Sequence, residues 1–553
     1  MFVRTKKKDE KRWQVQIVES IRQGDTVKQK IVRSIGVAHS AREVEQFKKI
    51  GEKAIVEIKN ARQPVLAFED PDVVYAPKAR RKPVDDTVKL KSLKEESRLI
   101  EGIQEVFGAV YRKMGAHELI QGTEKDKQWN EVLQACVLSR ITEPTSKLAT
   151  SEFLRREFDL DVPVQKIYRM LDHLASHEEQ AKKLVAAHTI ETIGGKVSVA
   201  FFDVTTLYFE SIVQDDLRSF GFSKDCKFKE SQVMLALLAT DDGLPITYEL
   251  FAGKTFEGHT LIEVAKSLKA KYDIKDVTLV ADRAMFNEDN LSLMEKEGIS
   301  YIVAAKLRSV SKPIKDAILT NEFRPLVANN EFSWVFEIEH KSRRVVVNYS
   351  AERARKDRAD RQRLVDRLLK KVRDKTVSLK EIIGNNGTKK YLKLSGKTAA
   401  IDQDKIDQDA EWDGLHGIVT DMKDAPAAAL LERYRGLWQI EESFRINKHT
   451  LKMRPIYHWS VRRIKAHISL CFLAYATCRY TQLALKKAGL KESIESIRNE
   501  LRHVQASVLV DETTGKRYGL PSAMSQKAAS IYRALKLKRD NRPYELCLEY
   551  KQM

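Results

Sequence analysis

Apolar positions change period along this chain, and each change predicts a different kind of element. Residues 1–62 alternate polar and apolar in FVRTK, RWQVQIVESIR and TVKQKIVRSIG, with Gly24 and Asp25 as a turn signal, which predicts a small antiparallel sheet. Residues 63–95 lose that alternation and carry Pro64, Pro71, Pro77 and Pro83 beside Lys78, Arg80, Arg81 and Lys82, the composition of a basic linker. From 96 to 192 the period becomes helical. EVLQACVLSRI, SKLATSEFLRREF and VPVQKIYRMLDHLA are amphipathic segments broken at Pro144 and between Asp159 and Pro163. Pro163 suits a helix start, after which Gln165, Lys166 and Arg169 either face a DNA groove or belong to a plain helical bundle.

Two short apolar runs then read as buried strands, Val197–Phe202 leading into Asp203 and Val277–Ala281 leading into Asp282. NEDNLSLMEKEG and ISYIVAAK continue as helix and strand, so residues 193–308 predict the first part of an α/β core. The 159 positions from Asp282 to Glu441 exceed any loop of a compact domain. Within them EFSWVFEIEH, RRVVVNYS, KKYLKLSG and GLHGIVTD predict strands, and AERARKDRADRQRLVDRLLKKVRD a basic helix, giving a β-rich insertion over 309–425. Residues 426–485 return to the core and 486–553 predict a C-terminal helical region.

The core's second part opens with YRGLWQIEESFRINK. At about 100° per residue, Tyr434, Trp438, Glu441, Arg445 and Lys448 fall in one stripe, while Leu437, Ile440, Phe444 and Leu451 form an apolar stripe beside it. In isolation this is an amphipathic surface helix with solvated charges. A lone Asp at a strand end is usually a cap or turn residue. Two such aspartates followed by this Glu instead suggest three carboxylates converging on divalent metal, because burying ionised Asp costs several kcal/mol, of order, without a cation.

The order Asp203, Asp282, Glu441 resembles the DDE transposases of bacterial insertion sequences. Tyr434, Glu441 and Lys448 match the Y-(2)-R-(3)-E-(6)-K signature of the IS-four superfamily, with Leu437 where the signature has Arg and Arg435 or Arg445 as alternative sources of that charge. FDVTTLYFE, GFSKD, GLPITYELFAGKTFEGHT, ADRAMF and YRGLWQIEESFR are similar to its IS-sixteen-thirty-four branch, over about residues 1–480. The resemblance implies an α/β fold: a ribonuclease H-like catalytic core interrupted by a β-rich insertion domain, with a small N-terminal β domain and a helical DNA-binding region. It implies Asp203, Asp282 and Glu441 as catalytic residues and ligands of two Mg²⁺ ions, Asp203 bridging them, with Mn²⁺ able to substitute. Hard oxygen donors without nearby His or Cys agree with that choice of metal. The implied activity is hydrolysis of transposon ends at terminal inverted repeats, then transfer of the 3′-hydroxyl strand into target DNA or, through a hairpin, onto the opposite strand. The implied assembly is a homodimer.

DNA contacts are expected from Tyr434, Arg435, Trp438, Arg445 and Lys448. Trp334 is either a base-stacking residue or a cross-strand core tryptophan. Lys224, Asp225, His259 and Lys306 match family phrases without a catalytic step of their own. The net charge of +20 suits a polyanion partner. Between Lys341 and Lys393, 18 Lys and Arg stand against 6 Asp and Glu, either a solvated face or a surface that tracks phosphates. The five cysteines are scattered without CxxC spacing and read as thiols of a reducing compartment. With neither a signal peptide pattern nor an 18-residue apolar span, the expected location is the cytoplasm, on the nucleoid and away from membrane. Two other readings stay open: a catalytically silent DNA-binding protein with the same fold, and a two-metal nuclease without strand transfer.

Overall fold

A computed structural model describes residues 2–38 apart from 10–11 and 24–25, isolated positions between 43 and 55, and 81–546 with breaks. The breaks fall at 84–87, 124, 196, 211–212, 222–229, 256–259, within 262–276, and at 283–286, 321–322, 329–330, 374–389 and 396–397. The chain divides into two compact units, one N-terminal and one formed by nearly all that follows residue 74. In the first, β1 (Phe2–Asp9), β2 (Arg12–Gln23) and β3 (Thr26–Ala38) form an antiparallel sheet in the order β1-β2-β3. Ile17 and Val18 are both buried although adjacent, because a register shift between them interrupts the alternation.

The second unit begins with β4 (Arg81–Pro83) and β5 (Leu93–Ile100), followed by α1 (Gly102–Lys113), α2 (Asp126–Thr142), α3 (Lys147–Phe158), α4 (Val164–Ser176) and α5 (Glu178–Thr192). Ser146 caps α3 by accepting from the Ala149 amide, as a serine at that position should. Next come β6 (Val199–Tyr208), β7 (Gln232–Thr240), β8 (Pro245–Ala252), β9 (Thr278–Ala281), α6 (Glu288–Lys296) and β10 (Ser300–Ala304). β6, β7 and β8 form an antiparallel meander; β9 and β10 run parallel to β6 in the order β8-β7-β6-β9-β10. This is a mixed α/β core sheet, as the sequence resemblance implies.

The sheet does not stop at β10. After α7 (Lys312–Thr320) come β11 (Arg324–Ala328), β12 (Glu331–His340), β13 (Arg343–Tyr349), α8 (Ala351–Arg373), β14 (Leu392–Ser395), β15 (Thr398–Ile401), α9 (Gln403–Ala410) and β16 (Leu415–Thr420). β16 pairs antiparallel with β10 and is followed outward by β13, β12 and β11, making nine strands. The insertion expected over 309–425 is therefore two things. Its outer strands extend the core sheet, because the edge of β10 offers unpaired backbone groups that a strand satisfies. Its middle, α8 with the β14–β15 hairpin, has a small core of Val365, Leu368 and Tyr391.

The chain then forms α10 (Ala427–Arg435), α11 (Trp438–Arg445), a π-helical turn (Ile446–Thr450) and α12 (Val461–Lys487). It ends in α13 (Ile494–Arg502), β17 (Gln505–Asp511), β18 (Arg517–Pro521), α14 (Gln526–Ala534) and β19 (Tyr544–Leu546). The expected C-terminal helical region is thus mixed, and the expected linker 63–95 is partly strand: β4-β19-β18-β17-β5 form one sheet. Pairing such as Leu99 with Ala506 joins distant segments that local periodicity cannot connect. The fully buried side chain of Arg539 fastens this junction, donating to Glu101 at 2.7 Å, whose other oxygen accepts from Tyr544 at 2.8 Å.

α12, which carries HISLCFLAYATCRYTQLAL, is a long and largely buried helix, and among the described residues no helix is long and apolar enough to cross a membrane. Cys136, Cys471 and Cys478 are buried free thiols; Cys226 and Cys547 lie outside the described residues. α4 buries Ile167, Met170, Leu171 and Leu174, leaves Gln165 and Arg169 exposed, and ties Asp172 to Arg463 of α12 at 2.8 and 2.9 Å. Beneath it Lys147 is buried, its Nζ 3.5 Å from His467 Nδ1. Burial above all, with the Arg140 cation, pulls its pKa down to about 7. A folded value below the unfolded one means that stability from this group is present above the unfolded pKa and is lost as pH falls through about 7. Lys147→Met is expected to raise unfolding stability at pH 7 by on the order of 2 kcal/mol and to flatten its rise between pH 7 and 9. Thermal denaturation at both pH values checks this, and parallel pH slopes in the two proteins would refute it.

Candidate active site

The face on which each carboxylate lies follows from strand alternation. On β6, Ala200, Phe202 and Val204 enter the main hydrophobic cluster, as do Leu279 and Ala281 of β9. Phe201 and Asp203 therefore point to the opposite side of the sheet, together with Val280 and, one step beyond the strand, Asp282. The parallel register pairs Phe201 with Val280 and Phe202 with Ala281, so Asp203 and Asp282 occupy the next matched positions on neighbouring strands, roughly 4.8 Å apart between backbones. Asp203 is half-buried and its Oδ1 accepts from the Val204 amide at 2.7 Å; Asp282 is exposed.

Helices α10 and α11 cover this face. At their junction a β-carbon on Gly436 would lie 2.5 Å from Phe201 Cζ, so only glycine lets the chain approach the strand that carries Asp203. The single straight helix expected over 434–448 is accordingly corrected: it breaks at Gly436–Leu437 and widens to a π turn at 446–450. The apolar stripe survives, with Ile440, Phe444 and Leu451 buried and Leu437 half-buried. Trp438, Glu441 and Arg445 keep their spacing on the exposed side of α11, whereas Tyr434 ends α10 and Lys448 lies in the π turn.

Of the expected DNA contacts, Arg445 is already engaged: its Nε and Nη2 donate to the two oxygens of Glu442, each at 2.7 Å, and Glu495 lies 3.7 Å away. That pairing raises its pKa further above the usual arginine range. Arg435 is exposed on α10 and Trp438 is 57% exposed. Trp334 is on β12 in the outer sheet, paired across strands with Pro325 and Tyr349 and partly exposed. Lys306 precedes a short 3₁₀ turn after β10, and Lys224, Asp225 and His259 lie outside the described residues.

His416 escaped the sequence reading. It sits on β16 with its ring centroid 4.9 Å from that of Tyr434. Burial first and the Arg353 cation second hold its pKa at about 4, against the opposing pull of Asp282, so a neutral imidazole stands beside the second aspartate at pH 7. No motif signals it, since GLHGIVTD is read only as an apolar strand.

The Asp203–Asp282 pair supplies oxygen donors that suit a hard divalent cation, but the expectation of no nearby His is corrected, since the neutral imidazole of His416 stands beside Asp282. Among the described residues no three His, Cys, Asp or Glu groups stand close enough to hold an ion, so Glu441 lies near the pair's face without completing a ligand set.

Family comparison agrees with this core. The Transposase DDE domain model matches residues 195–477, just over half of the chain, and the chain belongs to that family. The model for the IS1634 family transposase N-terminal domain matches residues 2–62, which assigns the chain to that branch. Comparison with curated proteins finds no match. Similar solved structures include a Mos1 transposase paired-end complex with left transposon end, at 13% identity over 31% of this chain and 57% of that one, TM-score 0.14. Another is a pre-cleavage Mos1 transpososome, at 12% identity over 31% and 58%, TM-score 0.14. The chain spans less than two thirds of these relatives, and so remote a likeness leaves the geometry to be read from this chain itself.

Gly436→Ala is expected to push α11 off the sheet, costing about 1–3 kcal/mol, and Phe201→Leu in the same chain to restore part of that loss. Chemical denaturation of the single and double variants checks it; additive losses would show that the two residues do not press on each other.

Proposed function

We propose that this chain is an active DNA transposase that binds the terminal inverted repeats of its element, hydrolyses the ends and transfers the freed 3′-hydroxyl strand into target DNA. The observation that carries the reading is the β6–β9 register, which sets Asp203 beside Asp282 on the face covered by the helix bearing Glu441. These three residues would hold Mg²⁺, with Mn²⁺ as a substitute. When bound, two such ions activate water and stabilise the leaving 3′ oxygen. The chain itself supplies position: β6 and β9 fix the aspartates on rigid strands, while Gly436 sets how closely α11 approaches. Tyr434, Arg435, Trp438 and Lys448 flank this face as groups for the DNA end. The solvent side of α8, with Arg355, Lys356, Arg358, Arg367 and Lys370, suits the phosphates of a duplex passing over the insertion. A homodimer with one repeat per protomer fits the same reading.

One observation favours the alternative of a silent DNA-binding protein, namely that Glu441 does not complete a three-ligand group among the described residues. The experiment that decides is incubation of labelled duplex carrying the element's ends with and without Mg²⁺, read on denaturing and native gels. Asp203→Ala, Asp282→Ala and Glu441→Gln are each expected to lower cleavage by about 10³-fold or more while leaving DNA binding within a few-fold of the parent. Joined products separate transposition from simple nuclease action. Binding without cleavage in the unaltered protein would transfer the conclusion to the silent reading.

A further inference from the structure

The segment between the π turn and α12, residues 451–460, is anchored by its backbone yet presents two large aromatic rings to solvent. Leu451, Met453 and Ile456 are buried. The Ile456 amide donates to Tyr208 O at 3.1 Å and the Met453 amide to Asn447 O at 2.8 Å, while His467 Nε2 lies 3.1 Å from Met453 O. Ser460 then caps α12 through the Arg463 amide. Against this fixed backbone Tyr457 is 63% exposed and Trp459 73% exposed, while Ile456 is buried and His458 turns inward to the rings of His467 and Tyr168. That alternation is the alternation of extended chain, in which side chains two residues apart stand on one side at roughly 6.6 Å. A nucleobase about 3.4 Å thick fits between two such rings in contact with both.

The surroundings point to a polyanion. From Ser443 to Lys491 the chain contains no Asp or Glu, and the loop itself carries Lys452 and Arg454. The Arg454 guanidinium lies over the Tyr208 ring, 5.4 Å from its centroid. A carboxylate does face the loop just beyond β6's end: burial first and the nearby Glu210 charge second raise the pKa of the Tyr457 hydroxyl, so the negative charge sits at the ring's edge. Tyr208 lies five residues beyond Asp203 on β6, roughly 17 Å away, or about five nucleotide steps along a strand.

We infer that Tyr457 and Trp459 form a stacking clamp for an unpaired nucleotide of the DNA end, about five nucleotides from the scissile bond. The inference rests on the transposase reading for its substrate and adds the recognition of unpaired DNA by this loop. Anchored aromatics beside cations bind single-stranded nucleic acid in this way because every base offers a π face.

The test uses the full chain without divalent metal, measuring by fluorescence anisotropy its affinity for a labelled duplex with a short single-stranded overhang and for the same duplex with blunt ends. Trp459→Ala and Tyr457→Ala are expected to weaken overhang binding about five- to hundredfold with blunt-duplex binding unchanged, and Trp459→Phe to keep most of it. Equal losses on both DNAs, no loss on either, or a change only in oligomeric state by light scattering would each overturn the inference, the last by showing a face for a second copy. Failure of the transposase reading is separately visible: Asp203→Ala would then leave cleavage unaltered while the overhang preference persisted.

Discussion

The parallel pairing of β6 with β9 is the constraint on which the rest of the site depends. Side chains alternate strictly across a strand, so a slip of one residue would turn Asp203 into the main hydrophobic cluster and bring Phe202 to the helix-covered face. Such a slip would bury a carboxylate without a cation and expose aromatic surface, both costly. The cluster formed by Ala200, Phe202, Val204, Leu279 and Ala281 therefore does more than stabilise the sheet. It fixes which way the two aspartates face, and it does so with residues buried on the opposite side of the sheet.

The same logic separates what was legible in the sequence from what was not. Asp203 and Asp282 could be found because each ends a continuous apolar run, which only a doubly covered strand tolerates. The helix bearing Glu441 was legible as an amphipathic pattern, but its break was not. Gly436 is required by the tip of Phe201, a residue far away in sequence, and helical periodicity carries no record of a partner's shape. His416 was invisible for a similar reason, since its significance lies in the company of Asp282 and Tyr434. The five-stranded sheet joining β4 and β5 to β17–β19 also escaped, because LKEESRLI and QASVLVD are short and ambiguous until they pair.

The insertion is tied to the site more closely than its position in the chain suggests. β16, its last strand, pairs with both β10 and β13, so the core sheet continues into the inserted strands without an edge. That continuity brings His416 beside Asp282, and places Arg353 of α8 close enough to influence the His416 charge. A displacement of the outer strands would pass directly to the aspartates, since packed sheets move as units rather than bending residue by residue.

Electrostatics then explains the uneven distribution of charge around the helix that carries Glu441. Bringing a third carboxylate to the Asp203–Asp282 pair is opposed by like-charge repulsion that a divalent cation would offset. DNA phosphates approaching the same place meet the same repulsion. The chain answers with a neutral imidazole next to Asp282, with Arg445 paired on the neighbouring Glu442, and with a stretch from Ser443 to Lys491 that adds no further carboxylate. Negative charge is thus concentrated at the Asp203–Asp282 pair and sparse along the chain that follows the helix, with Glu210 beside Tyr457 as the carboxylate that faces the loop before α12.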